Sequence, residues 1–291
     1  MRAKSLIITL FGDVISQHGG EIWLGSIAKS VEALGVNDRL VRTSVFRLAK
    51  EGWLEVEREG RKSFYGFTRS GSKEYQRAAQ RIYSAGGDSW HGTWQLLVPT
   101  NLPEHMRDNF KRSLNWLGFR AISNGTFARP GGDEESIRDL LDEFDLNSGV
   151  VVMEAKTSSL TTPKEWRELV SEHWQLRNLE DEYRQIIGLF SPLKKALDKG
   201  KVATPLEAFQ ARLLLIHEYR RILLRDTPLP TDLLPNRWQG TVARQLAQAL
   251  YRDLAKPSTS YIQTELVNRQ GQLPESEYYF YQRFGGISKN L

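Results

Sequence analysis

The sequence contains no cysteine. Disulfide bonds, thiolate nucleophiles and cysteine-type zinc sites are therefore excluded, and a reducing compartment is expected. Long apolar runs are missing too, because the stretch from Leu6 to Phe11 is interrupted by Thr9 and followed by Asp13. That stretch is too short for a signal-peptide core or a membrane span. We expect a cytoplasmic protein with no membrane partner.

The motifs of common enzyme classes are also absent. There is no P-loop, no dinucleotide-binding glycine pattern, no serine nucleophile elbow and no metal-binding histidine pair. His91 and His105 lack the spacing of metal ligands. We therefore expect no catalytic residue, no metal site, no cofactor and no enzymatic activity.

The length and the charge distribution indicate several domains, of which the first is basic. A chain of 291 residues exceeds what one hydrophobic core normally fills, and 40% hydrophobic with 26% charged residues is ordinary for a globular protein. Residues 1–83 carry 14 Lys and Arg against 9 Asp and Glu, whereas the remaining residues carry 26 of each sign. The basic excess indicates that the N-terminal segment meets a polyanion.

Three helices are predicted in this segment, over 5–17, 26–34 and 38–51, with Ser26 and Asn37 as N-caps of the second and third. The short connection before the third helix is typical of a helix-turn-helix. At about 100° per residue, Val41, Val45 and Leu48 face the core. The opposite face is that of a DNA recognition helix and carries Arg39, Arg42, Thr43, Phe46, Arg47 and Lys50.

The residues after the third helix predict a wing. Two apolar runs, 53–56 and 64–67, flank a turn that carries the predicted phosphate contacts Arg58, Arg61 and Lys62. With a helix over 70–84, the order is that of a winged-helix DNA-binding domain over residues 1–84. Gly86 and Gly87 are predicted to mark its end.

The middle of the chain predicts a ferredoxin-like domain over residues 88–160. Its elements are strands at 93–98 and 149–155, helices at 104–117 and 133–144, and a hairpin over 119–127 around Asn124 and Gly125. Small CRISPR nucleases share this βαββαβ order and bind metal at strand ends. Here residues 98–101 offer no carboxylate, so a metal-dependent nuclease is only the alternative interpretation. A winged helix that binds protein rather than DNA is a third.

The C-terminal part, residues 164–291, predicts a helical domain for effector binding and dimerisation, with long helices over 165–190, 205–225 and 239–255. The fold class is therefore α+β. On the second of these helices Leu214, Leu215 and Ile222 lie outside the main apolar stripe, which favours a homodimer contact there. Burial of the three residues within one subunit is the alternative.

Several motifs together resemble one family. They are Val41-Arg42-Thr43, Arg47-Leu48, Glu51-Gly52-Trp53-Leu54, His217-Glu218-Tyr219-Arg220-Arg221, Leu223-Leu224-Arg225-Asp226 and Leu233-Leu234-Pro235-Asn236-Arg237-Trp238-Gln239-Gly240. In this order they resemble the PaaX-type repressors of phenylacetic acid catabolism over almost the whole chain, although Gln239 stands where many members have proline. The resemblance implies a dimeric repressor on double-stranded operator DNA, released by an aryl acyl-CoA such as phenylacetyl-CoA, with a middle domain used for architecture.

The effector site is predicted from polar residues that fall on otherwise apolar stripes of the C-terminal helices. The set is His173, Arg177, His217, Arg220 and Arg221, with Trp166, Trp174 and Tyr219 shaping a slot for the aryl group. Buried charges are costly unless they are paired or liganded. A mutual network, in which Glu180 satisfies one arginine and the histidines bond to backbone carbonyls, is the other interpretation of the same residues.

Overall fold

A computed structural model describes residues 3–84, 90–132, 134–146 and 148–287. Its helices and strands confirm a mixed α+β protein. The predicted break at Gly86 and Gly87 and the predicted helix start at Asp133 lie outside the described residues. Within the described residues, no helix is long and apolar enough to cross a bilayer.

The N-terminal elements alternate helices with a small antiparallel sheet whose strand order is β1-β3-β2. They are α1 (Ala3–Asp13), β1 (Glu21–Trp23), α2 (Leu24–Glu32), α3 (Asp38–Lys50), β2 (Leu54–Glu59), β3 (Lys62–Phe67) and α4 (Arg69–Ile82). The Asn37 cap is confirmed, since its side chain accepts a hydrogen bond from the Leu40 N–H. The Ser26 cap was wrong. Ser26 lies inside α2, and its hydroxyl accepts from the Val267 N–H instead.

The middle elements are strand, helix, strand, strand, helix, strand. They are β4 (Thr93–Pro99), α5 (Arg107–Trp116), β5 (Arg120–Ser123), β6 (Thr126–Pro130), α6 (Glu134–Glu143) and β7 (Val150–Lys156). All strand pairs are antiparallel, in the order β5-β6-β4-β7. Asn124 and Gly125 form the predicted two-residue turn, in which Gly125 has a φ of 79°. Leu97, Phe110 and Phe119 are fully buried in the core of this segment.

The C-terminal elements are mostly helical. They are α7 (Pro163–His173), α8 (Leu176–Asp198), α9 (Pro205–Leu223), α10 (Gln239–Glu265), the short hairpin β8 (Val267–Asn268) and β9 (Gly271–Gln272), and α11 (Tyr278–Tyr281). The single helix expected over 165–190 was wrong. Its hydrogen-bonding is interrupted at Trp174 and Gln175, because Gln175 adopts a left-handed φ of 54°. Helix α10, which was predicted to end at Ala255, continues to Glu265 and contains Pro257.

The described residues divide into two compact units. One draws on Met1–Ala85, Glu182–Arg225 and Gln239–Leu291, and the other on Gly86–Asp181 and Asp226–Trp238. In the first unit, α9, α10 and the β8–β9 hairpin complete the core that α1, α2 and α3 begin, with Phe209, Leu213, Tyr261, Ile262 and Leu273 packed among N-terminal side chains. The predicted boundaries of three domains stay a prediction.

This packing removes the argument for a dimer contact on α9. Leu215 and Ile222 are fully buried within the unit and Leu214 is half-buried, so these side chains cover α9 from inside one chain. The cause is that α9 packs against both α10 and α1, which leaves little of its surface open.

Candidate nucleic-acid interface

The helix α3 separates its residues into a buried stripe and a charged face. Val41, Val45 and Leu48 are buried in the core, as the periodicity predicted. The residues predicted to contact DNA are all exposed, namely Arg39, Arg42, Thr43, Arg47 and Lys50. This face therefore offers long hydrogen-bond donors at the spacing of a helix turn, which suits a major groove.

Two of these side chains are already oriented within α3. Arg42 donates from Nε to Oδ2 of Asp38 at 2.6 Å, and this hydrogen bond raises the pKa of the Arg42 guanidinium. Thr43 donates from Oγ1 to the Arg39 carbonyl at 2.9 Å. Arg42 thus has one donor committed to its own helix, and Thr43 presents mainly its methyl group.

The hairpin of β2 and β3 carries the three predicted wing contacts on different faces. Gly60 and Arg61 form its two-residue turn, and the left-handed φ of 55° at Gly60 suits glycine. Lys62 stands opposite Glu59 and lies 5.4 Å from the centre of the Trp23 ring. Arg58 points to the other face because side chains alternate along a strand. The exposed Arg58 and Arg61 are thus the less engaged cations of the wing.

A contact that the sequence analysis missed supports the base of the wing. Arg269, between β8 and β9, donates to Glu21 of β1 at 2.7 to 3.0 Å and forms a second ion pair with Glu57 of β2. Strand β8 also lies against β1. The C-terminal hairpin therefore ties the first strand of the sheet to the wing.

A buried polar network lies at the end of α1. Asp13 is fully buried, and its carboxylate accepts hydrogen bonds from Arg212 (3.0 Å), Arg283 (2.9 Å), Tyr83 (2.6 Å) and Tyr251 (2.8 Å). Burial alone would raise the pKa of Asp13, but the two guanidinium groups and the two hydroxyls outweigh it and lower the pKa. The network was not predicted, although Arg212 lies on the same stripe as Phe209 and Ile216.

A buried histidine extends the same end of α1. His18 bonds through Nδ1 to the Pro274 carbonyl at 2.7 Å and through Nε2 to the Ser276 hydroxyl at 3.2 Å. Burial lowers the pKa of His18 from 6.5 to about 4. The ring is therefore neutral at pH 7 and joins the first helix to the C-terminal segment.

Of the residues expected to bind the effector, Arg220 is buried with too few partners for its charge. It is only 8% exposed, and within the described residues it has no ion pair, while its Nε has no hydrogen-bond partner. Its guanidinium lies 6.0 Å from the Tyr75 ring, and burial lowers its pKa. One turn earlier, His217 is buried with Nδ1 at 3.3 Å from the Thr9 hydroxyl, and burial lowers its pKa as well. Burying a cation without an anion is energetically costly.

The other predicted effector residues have different surroundings. Arg221 is exposed and pairs with Glu218 and Glu182, so its charge is already compensated within the chain. Its role as a ligand donor stays a prediction. Arg177 is exposed too, because the helix break at Gln175 takes it off the apolar stripe. His173 is half-buried at the end of α7.

Arg177 lines an open groove of about 530 Å³ in the second unit. The other lining residues are Glu168, Ser171, Glu172, Gln175 and Asn178. Two carboxylates beside one arginine suit an anionic ligand poorly.

The aromatic residues expected to shape an aryl slot fall in separate units. In the second unit, Trp94 stacks on Trp166 at 5.1 Å and lies 6.3 Å from Trp174, whose Nε1 donates to the Gly118 carbonyl. Tyr219 is buried in the first unit. Across the described ranges, no three acidic or histidine side chains are grouped so as to hold a metal ion.

Comparisons with known proteins agree with the order of these segments. Three family models match in succession: "PaaX-like protein" at residues 2–71, "PaaX protein central Cas2-like domain" at 87–168 and "PaaX-like protein C-terminal domain" at 174–264. The chain is similar to the transcriptional repressor PaaX of Escherichia coli K12, with 39% identity over 288 residues that cover 98% of this chain and 90% of that protein. It also shares its fold with an uncharacterized protein from Mycobacterium tuberculosis, with a TM-score of 0.52 and 19% identity, over 80% of this chain and 88% of that one.

Proposed function

Because the chain belongs to the PaaX family, we propose that it is a transcriptional repressor that binds double-stranded operator DNA through α3 and the β2–β3 wing. The observation that carries this proposal is the exposed basic face of α3 beside a hairpin with a basic turn. Helices α1 to α3 with this hairpin form a winged helix, and the βαββαβ segment is a ferredoxin-like domain used for architecture. The regulated genes are those of phenylacetate catabolism.

An aryl acyl-CoA, such as phenylacetyl-CoA, is the proposed effector that releases the protein from DNA. The buried Arg220 supports this, since phosphate or thioester oxygens would supply the anionic or acceptor partner that its guanidinium lacks among the described residues. Release further requires that the ligand favour a conformation with low affinity for DNA, because equal affinity for both conformations shifts nothing.

The proposed assembly is a homodimer. Two-fold symmetric operators are normally read by two-fold symmetric proteins, and one winged helix covers only a short stretch of DNA. Light scattering at micromolar concentration is expected to give twice the chain mass of 33.4 kDa. A mass equal to that of one chain would contradict the dimer.

DNA recognition is tested by selecting bound sequences from a library of random 30-base-pair duplexes and measuring their affinity by fluorescence anisotropy. The double variant Arg42→Ala/Arg47→Ala should lose at least tenfold in affinity, because each bidentate base contact contributes about 1–3 kcal/mol. The matched control, Arg77→Ala/Lys199→Ala, removes the same charge from exposed positions on α4 and after α8 and should bind nearly as well. If Arg42→Ala/Arg47→Ala binds DNA with unchanged affinity, α3 is not the recognition helix.

Effector binding is tested by titration calorimetry with phenylacetyl-CoA and by thermal unfolding of Arg220→Met. A structural arginine would lower the melting temperature when replaced, whereas an arginine kept for a ligand should leave it unchanged or raise it, because an unpaired buried charge is removed. We expect the variant to lose at least tenfold in affinity for the acyl-CoA without loss of stability. Undiminished affinity would move the site away from Arg220.

A further inference from the structure

The centre of the exposed face of α3 is occupied by an apolar ring rather than by a charge. Phe46 is 68% exposed and contacts no other aromatic ring within the described part of the chain. At about 100° per residue, it falls opposite the buried stripe, on a line with Arg39, Thr43 and Lys50. Arg42 and Arg47 flank this line on either side. Single exposed apolar residues are ordinary on surfaces, so the significance of Phe46 lies in its position.

The side chain next to the ring enlarges the apolar spot. Thr43 lies three residues before Phe46 and therefore adjoins it on the helix surface. Since the Thr43 hydroxyl donates to the Arg39 carbonyl at 2.9 Å, its methyl group is the part left for an outside contact. The phenyl ring of Phe46 and the methyl group of Thr43 thus form a small apolar spot that is surrounded by cations.

The charges around this spot determine which partner would cover it. Four exposed cations within one helix favour a polyanion, and in the major groove of DNA the apolar group available to a phenyl ring is the 5-methyl group of thymine. Building on the DNA binding proposed above, we infer that Phe46 reads a thymine by packing against its 5-methyl group. Arg39 and Lys50, on the same line, hold the helix on the flanking bases and phosphates.

The experiment replaces thymines one at a time by uracil, which lacks only that methyl group, in a fluorescein-labelled duplex of the selected binding sequence. With the wild-type protein, one replacement should weaken binding about three- to tenfold, as expected for loss of one buried methyl contact. The Phe46→Ala variant should bind the original duplex and the uracil-containing duplex with equal affinity. Loss of charge is not involved, so the salt dependence of binding should match that of the wild type.

Leu40→Ala is the matched control, because Leu40 is also exposed on α3, at 46%, but lies off the central line. It should keep the wild-type preference for thymine over uracil. A wild-type protein that binds duplexes but shows no sensitivity to uracil would overturn the role of Phe46 alone, as would a preference that survives Phe46→Ala. Failure to select any sequence would instead overturn the proposed DNA binding. Circular dichroism verifies that both variants are folded.

Discussion

Replacing Asp13 by asparagine should destabilise the protein severely while changing almost no volume. Four donors converge on the Asp13 carboxylate at 2.6–3.0 Å, and two of them are buried guanidinium groups, of Arg212 and Arg283. In the variant, both guanidinium charges would stay buried. Among the described residues, neither of them forms an ion pair with any other carboxylate. Breaking a buried pair in this way costs about 3–5 kcal/mol. Since domains are stable by only about 5–15 kcal/mol, the loss is a large share.

The assay is urea unfolding at pH 7, followed by far-UV circular dichroism. The control Asp198→Asn removes a carboxylate that is 57% exposed and pairs with Lys194, and we expect a change under about 1 kcal/mol. Loss of less than about 1 kcal/mol in Asp13→Asn would refute the reasoning.

An apolar replacement of the whole network separates charge from packing. Asp13→Leu/Arg212→Met/Arg283→Met removes all three charges together, so no unpaired charge stays behind. Its stability should exceed that of Asp13→Asn and approach the wild type. A triple variant as unstable as the single one would mean that the geometry of the network, and not its charge balance, holds this end of α1.

The pH dependence of the Asp13 contribution has a definite sign. Because its pKa is lowered in the folded protein, its stabilisation is complete above the ordinary value of 3.8 and is lost as the pH falls through the lowered pKa.

Two further predictions concern residues next to this network. His18, whose pKa is lowered from 6.5 to about 4, takes up its proton at higher pH in the unfolded chain, so stability should fall by roughly 3 kcal/mol from pH 6.5 to pH 4. His18→Asn keeps a donor for the Pro274 carbonyl and should flatten this dependence in urea unfolding; a slope that persists would contradict the assignment. Gly12→Ala should cost about 1–3 kcal/mol despite the better helix propensity of alanine, because the new Cβ would lie 1.9 Å from the buried Tyr75 ring. Tyr75→Leu should relieve part of that cost, and a fully stable Gly12→Ala would show that the ring can move.

Local patterns predicted the local structure well. The third helix, its Asn37 cap and its buried stripe follow from periodicity and capping within about a dozen residues, and the turn at Asn124–Gly125 follows from a dipeptide. The break at Gln175 could not be predicted in the same way, because no glycine or proline marks it.

Contacts between distant parts of the chain were beyond these patterns. Asp13 and Arg212 are 199 positions apart, and only the folded core shows that one compensates the other. Arg269 is paired across a similar span with Glu21 and Glu57. Within the candidate site, the exposed residues of α3 were therefore predictable, whereas the residues that hold the wing and α1 in place were not.

The sharing of one core by both ends of the chain has a consequence during synthesis. Residues such as Tyr261 and Arg283, which complete the surroundings of α1, leave the ribosome long after α1 does. At about 5–20 residues per second, α1 emerges roughly 15–50 seconds before its final partners. A nascent or prematurely terminated chain therefore carries the residues of α3 without the support that fixes them. If α3 is the DNA-binding helix, as proposed, such an incomplete chain should bind DNA more weakly than a chain that includes Tyr261 and Arg283.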